Sequence, residues 1–226
     1  MDTVSFNVIA HIYNDFTEKF GIPRQSAFLE NTVSRIVFEK EYAVRDALRG
    51  IEDYSHLWLL WHFSQNSSTG WSPCVRPPRL GGNKKVGVFA TRSPYRPSPI
   101  GLSSVKLVGI EENSKEGLVL VVTGADILSG TPILDIKPYI PYSDSHPHAS
   151  GSFAEEHKDY SLEVIFPDPL LSKLPKELHE TVLSMLRCDP RPSYQHDSDR
   201  VYGMRYGKFD VHFTVKDKVL TVTDVT

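Results

Sequence analysis

The chain has 226 residues, enough for one large domain or a main domain with a small companion. Its hydrophobic fraction of 40%, aromatic fraction of 11% and formal net charge of -3 are those of an ordinary globular protein, and exclude a global basic field for nucleic acid or membrane. The N-terminal stretch lacks the basic start and apolar core of a signal peptide, the longest apolar run is far too short for a bilayer, and Cys74 and Cys188 form neither a disulfide framework nor a CxxC metal clip. A protein of the reducing cytoplasm, free of membrane and metal, is therefore expected.

In chain order, Val4, Phe6, Val8, Ala10 and Ile12 alternate with mostly polar residues, the period of a half-buried strand. Thr32–Glu39 is rich in β-branched residues and predicts a second strand. Glu41–Arg49 predicts a short helix closed by Gly50 in a left-handed cap. The unbroken apolar run Leu57–Phe63 predicts a strand covered on both faces. After a turn-rich segment, Ser64–Lys85, strands are expected at Val86–Thr91, Leu102–Ile110, Leu118–Gly124 and Ile133–Tyr139. Short strands at fairly even spacing, separated by Pro and Gly, suggest a sandwich or barrel.

The texture changes after Pro141. Tyr142–Lys158 is rich in Ser, His and small residues and has the composition of a loop or linker. A strand at Tyr160–Phe166 is followed by Leu174, Leu178, Val182 and Met185/Leu186 at helical spacing, with Pro175 suited to a first turn. Cys188-Asp-Pro-Arg-Pro stops that helix. Phe209, Val211, Phe213 and Val215 alternate, and Lys216-Asp217-Lys218 turns into Val219–Val222, a hairpin pattern. The expected organisation is mainly β: a β-rich body over 1–142, sandwich or barrel, a linker over 143–159, and a small C-terminal α+β appendix over 160–226.

Charge is unevenly distributed. No acidic residue lies between Asp53 and Glu111, whereas that stretch holds Arg76, Arg79, Lys84, Lys85, Arg92, Arg96 and Lys106. Such a one-signed patch fits a phosphate-rich partner, or a solvated basic face compensated by acids from elsewhere in the fold. Within it, RSPYRPSPIG (Arg92–Gly101) mounts two arginines on a backbone stiffened by three prolines. Gly101 lets the chain turn or lets another group approach closely. A stiff loop lowers the entropic cost of holding an arginine ready for an anion. The alternatives are a proline-rich crossover and a PxxP ligand, and the position between two strand patterns disfavours the latter.

Other residues keep two readings. IPRQS (Ile22–Ser26) is a pre-shaped polar loop or a strand connection. His62 is a ligand contact or a satisfied core histidine. Asp126, opening ADILSGT, is a site residue or turn chemistry. Asp135 and Lys137 share one strand face, as a surface ion pair or as the polar floor of a site. His146 and His148 are too sparse for a metal site, and neither a GxGxxG after a strand nor a P-loop is present.

Several segments carry a resemblance. GVFATRSPYRPSPIGLSSVKL (Gly87–Leu107) is similar to the signature of the TsaA-like, or TrmO, family of tRNA methyltransferases. FGIPRQ, SHLWLLWHF, VRPPRLGGN, GADILSGTPILDIKPYIPY, CDPRPSYQ and YGMRYGKFDVHF fit the same family, so the resemblance spans nearly the whole chain. It implies a homodimeric β-barrel methyltransferase that uses S-adenosylmethionine to methylate N6 of threonylcarbamoyladenosine at position 37 of a tRNA anticodon loop. Carried onto matching positions, it implies cofactor contacts from Pro23, Arg24, Gln25, His62, Phe63, Arg92, Leu102, Asp126, Ile127 and Leu128. Tyr95 and Ser98 stand where His and Asn are common in the family, and Ser129 where Asp is common.

For catalysis, Asp135 is expected to assist proton loss and Lys137 to hold the carbamoyl group or a phosphate. RNA contacts are expected from Arg76, Arg79 and Arg96, and from Arg191, Tyr194 and Arg205 in the appendix. The rival classes are a noncatalytic RNA- or nucleotide-binding barrel and a hydrolase, the latter without any visible nucleophile–base pairing.

Overall fold

The computed structural model describes residues 2–23, 31–77, 84–152, 155, 160–191 and 197–226. Six strands form one sheet that closes on itself: β1 (Ala10–Tyr13), β2 (Val33–Phe38), β7 (Gly117–Thr123), β6 (Ile100–Asn113), β3 (His56–His62) and β8 (Thr131–Pro138), in that spatial order, with β8 returning to β1. All six pairings are antiparallel. Closure leaves no unpaired edge within this sheet. Its interior is filled by Ala10, Ile12, Ile36, Leu57, Leu59, Leu120, Val122 and Ile133, all fully buried. The alternation of each strand supplies those residues at every second position.

A two-stranded ribbon, β4 (Cys74–Val75) with β5 (Val86–Gly87), stands beside the barrel. A one-turn helix α1 (Pro141–Asp144) closes the barrel half; Asp144 Oδ2 accepts from Trp58 Nε1 at 2.9 Å and from Ile140 N at 2.8 Å. The C-terminal part has β9 (Glu163–Ile165), the short α2 (Asp168–Leu171), α3 (Lys176–Arg187), β10 (Tyr202–Tyr206), β11 (Phe209–Lys216) and β12 (Val219–Val225). Its four-stranded sheet runs β10-β11-β12-β9, with β9 parallel to β12. Val182, Met185 and Leu186 of α3 pack on Val211, Phe213 and Leu220 in a second core.

Several expectations change. The N-terminal strand starts only at Ala10; Val4 and Phe6 are exposed, so their alternation had no partner strand to bury it. The segment before Gly50 forms a 3-10 turn, Arg45–Leu48, although Gly50 does take the left-handed conformation, φ 85°. β3 buries Leu57 and Leu59 inward while Trp58 and Leu60 stay half-covered, so it is covered on one face. Val86–Thr91 is β5 followed by a 3-10 turn, Val88–Ala90. β10 and α2 went unforeseen, β10 because its YGMRY run holds no β-branched residue.

A strap joins the two cores. Phe16 belongs to the C-terminal core and meets Tyr206 edge-on at 5.4 Å between centroids. Gly207 N donates to Asp15 O at 2.9 Å, and Arg205 N to Glu18 Oε1 at 3.3 Å. Gly21, at φ 91°, lies against Met204 so closely that a Cβ there would stand 2.5 Å from Met204 Cγ. The residues following Gly21 continue into the wall of a large cleft.

Candidate active site

The cleft, of about 1070 Å³, opens where the ends of β3 and β6 meet the proline-rich loop. Four segments distant in sequence converge on it: Ile22–Pro23 from the strap, Trp61–Phe63 from the end of β3, Arg92–Arg96 leading to the start of β6, and the Asp126–Leu128 turn. A fifth, Cys74–Pro77, closes one side.

A hydrogen-bonded row forms the floor. Trp61 Nε1 donates to Ser103 Oγ at 3.1 Å, and Ser103 Oγ donates to Asp126 Oδ1 at 2.6 Å. Ser103 is buried, so the row holds one carboxylate oxygen of Asp126, which itself lines the cleft. Gly101 makes this possible, because it faces Trp61 across the β3–β6 pair and a Cβ on it would overlap the indole. Close approach is thus the glycine's role, since its φ lies outside the left-handed range. Phe63 packs edge-on against Trp61, with ring centroids 4.2 Å apart.

The Asp126 turn is clamped from the strap. Asn14 Nδ2 donates to Ile127 O at 2.9 Å and to Ser34 Oγ at 3.1 Å, while Asn14 Oδ1 accepts from Phe16 N at 3.0 Å. Ser129 N donates to Phe16 O at 2.9 Å, and Gly130 N to Ile12 O at 2.7 Å. Asn14 and Ser103 are the residues that sequence reasoning missed. Asn14 stands beside Asp15 and Ser103 beside Ser104, so nothing local singles either out, and only their partners mark them.

The arginine loop is rigid through more than its prolines. Arg96 donates to Thr91 O at 2.7 Å and to Val88 O at 3.3 Å, and its guanidinium lies 5.7 Å from the Phe89 ring centroid. Arg96 therefore staples its own loop. Arg92 is exposed on the cleft wall, with no carboxylate partner among the described residues. Asp126 is the one acid among the described residues lining the cleft, so the wall around Arg92 is electropositive.

Of the residues expected at the cofactor, Pro23, His62, Phe63, Arg92, Leu102, Asp126 and Leu128 line the cleft. Ile127 does not: its side chain is fully buried in the barrel core, and only its carbonyl is used, by Asn14. Arg24, Gln25, Arg79 and Tyr194 lie outside the described residues. Arg76 and Arg96 line the cleft, and Arg205 is exposed on β10.

Two groups of expected residues stand away from the cleft. Asp135 and Lys137 do share a strand face, but it is the outer face of the barrel. They pair there at 2.8 Å with side-chain exposures of 43% and 61%, away from the cleft, which raises the Lys137 pKa through the Asp135 hydrogen bond. Of their two readings, the structure has the surface ion pair. Arg191 is spent internally. Its Nε and NH2 donate to Asp189 Oδ1 and Oδ2 at 2.9 and 3.0 Å, Tyr160 OH donates to the same carboxylate at 3.0 Å, and its side chain is only 9% exposed. That hydrogen bond to Asp189 raises the guanidinium pKa further, and two of its nitrogens are committed to the carboxylate.

No cluster of His, Cys, Asp and Glu suited to a metal occurs among the described residues, and no helix among them is long and apolar enough to cross a membrane.

Comparison with known proteins agrees with this layout. The tRNA-methyltransferase O N-terminal domain matches residues 11–145, and the TrmO C-terminal domain matches residues 159–226. A tRNA (adenine(37)-N6)-methyltransferase of Escherichia coli is 37% identical over 225 residues, covering 96% of this chain and 95% of that protein. A putative S-adenosylmethionine-dependent methyltransferase of Pseudomonas aeruginosa is 37% identical over 219 residues, covering 93% of this chain and 92% of the relative. The crystal structure of TrmO from Pseudomonas aeruginosa superposes over 100% of both chains with a TM-score of 0.78 at 33% identity. With both domains matched and the cleft assembled from the signature segments, this chain belongs to the TrmO family.

Proposed function

We propose that the protein is an S-adenosylmethionine-dependent methyltransferase acting on N6 of adenine 37 in the tRNA anticodon loop, with threonylcarbamoyladenosine as the base it modifies. The observation that carries this reading is the convergence of four distant family-like segments on one cleft with, among the described residues, a single carboxylate and an arginine without a carboxylate partner. The reading makes the barrel over 1–142 the chemical unit, 143–159 a linker and 160–226 an accessory unit, in a cytoplasmic homodimer.

The residues present suit the cofactor. Asp126, with one oxygen held by Ser103, offers its other oxygen to a ribose diol. Trp61, Phe63, Ile100 and Leu128 supply the apolar and aromatic walls an adenine needs. Arg92 suits the carboxylate of the methionyl part. When bound, S-adenosylmethionine supplies an electrophilic methyl group on a sulfonium.

What the chain itself contributes is alignment. An in-line displacement gains several kcal/mol from holding the two reacting atoms in register. The stapled loop, the clamped turn and the Trp61–Ser103–Asp126 row are held by contacts within the chain itself, so little ordering remains to be done on binding. On the outer rim, Arg76 stands exposed beside the cleft, placed for a phosphate of the RNA, and Arg205 is a second contact on the accessory unit.

Two measurements test this reading. Calorimetry with S-adenosylhomocysteine should show one site per chain, and methylation of threonylcarbamoylated tRNA should outpace that of the same tRNA lacking the modification. Cofactor binding without any methyl transfer would leave the noncatalytic barrel as the correct class.

A further inference from the structure

Three aromatic side chains stay largely exposed on segments around the cleft: Tyr95 lines it, and Trp71 and Phe89 lie close in sequence to residues that do. Phe89 is 74% exposed, Trp71 56% and Tyr95 40%. They lie together: Ser72 N donates to Tyr95 O at 3.1 Å, Val88 N donates to Pro73 O at 3.0 Å, and the Arg96 guanidinium rests on Phe89. Burying such rings normally contributes strongly to stability, so three exposed ones around one cleft call for a partner.

Their neighbours state the partner's chemistry. Arg76, Lys84 and Lys85 are exposed, flank the paired Val75 and Val86 of β4 and β5, and have no carboxylate partner among the described residues. Exposed aromatics among unpaired cations are the arrangement by which proteins hold single-stranded nucleic acid, with bases on the rings and phosphates on the cations. The Phe89 ring is held in place. Arg96 covers part of it and is itself tied to Thr91 O and Val88 O. A ring fixed in this way stacks without first losing freedom of its own.

We propose that Trp71, Phe89 and Tyr95 form a stacking platform for the unpaired RNA bases that flank the methylated adenine, with Arg76, Lys84 and Lys85 meeting the phosphates between them. The platform explains how a target base is drawn into the cleft. Bases on either side rest on the rim, and the one between them is splayed out of its stack toward Asp126 and Trp61. This proposal rests on the tRNA reading above and adds residues that no cofactor contact requires.

The test uses the full-length protein and a synthetic anticodon stem-loop RNA. Phe89→Ala and Trp71→Ala should each weaken RNA binding by about 5- to 150-fold, the range for losing one stacked base. Phe89→Tyr should restore most of the affinity. Binding of S-adenosylhomocysteine should stay unchanged in all three. Phe89→Ala should leave the slope of log K against log salt intact, whereas Arg76→Ala should flatten it by about 0.7. RNA affinity within about twofold of wild type in both alanine variants overturns the platform. So does a change in molar mass by light scattering in Phe89→Ala, which would assign this rim to contact with a second copy of the chain. Wild-type protein that binds S-adenosylhomocysteine but no RNA removes the tRNA reading itself, and the platform with it.

Discussion

Replacing Gly101 by alanine tests the floor of the cleft with one methyl group. Gly101 on β6 faces Trp61 on β3, and a Cβ built there overlaps atoms of the indole ring. The overlap is with a rigid bicycle that also packs on Phe63 and donates to Ser103, so no flexible tip can swing aside. Overpacking of this kind costs about 1–3 kcal/mol. Displacing the indole also gives up its hydrogen bond to Ser103, worth about 0.5–1.5 kcal/mol. At about 2–4 °C per kcal/mol for a chain of this size, Tm should fall by roughly 3–18 °C. Because Trp61, Gly101 and Ser103 all line the cleft, affinity for S-adenosylhomocysteine should fall as well, measured well below the unfolding range. The second-site change Trp61→Leu, which vacates the space, should recover part of the stability in the double variant relative to the sum of the singles. A Gly101→Ala protein with Tm within about 1 °C of wild type and unaltered affinity would refute the close-approach argument.

Other consequences follow from single contacts. Asp126→Asn should weaken S-adenosylhomocysteine binding by roughly tenfold or more, the cost of losing a charged hydrogen bond, with little change in Tm; calorimetry checks this. Asp189→Ala should destabilise the C-terminal unit by about 3–5 kcal/mol in denaturant unfolding, because it leaves the buried Arg191 cation uncompensated, without changing the salt slope of RNA binding. The hydrogen bonds from Ile140 N and Trp58 Nε1 hold the Asp144 carboxyl below the usual carboxylate range. Its folded pKa is thus the lower one, so its stabilising effect is full above the unfolded value and is lost as pH falls through the folded value. Tm plotted against pH should accordingly drop less on the acid side in Asp144→Asn than in wild type.

What the sequence disclosed was whatever depends on local chemistry. Prolines 94, 97 and 99 stiffen a loop wherever they stand, and Gly101 was open to close approach by a neighbour; the neighbour, Trp61, is visible only in the β3–β6 register. The turn at Asp126 was recognisable as a turn, but the clamp that orients it comes from Asn14, more than a hundred residues upstream. Pairings across such distances leave no periodic trace in sequence. The alternation of Val4, Phe6 and Val8 had the period of a strand and lacked a neighbour to pair with. Asp135 and Lys137 were correctly placed on one face of β8, yet period two cannot say which face points into the barrel. A local bulge opposite Leu60 and Trp61 shifts that register further. Arg191 is the converse case, since an arginine beside prolines and a tyrosine gives no sign in sequence of the pairing with Asp189, which Tyr160 shares.

The central claim is tested most directly in cells. Mass spectrometry of nucleosides from purified tRNA, compared between a strain lacking the gene and the same strain complemented, should show methylated threonylcarbamoyladenosine absent in the first and restored in the second. An Asp126→Asn copy should restore it only partly. Equal levels of the methylated nucleoside with and without the gene would contradict the account.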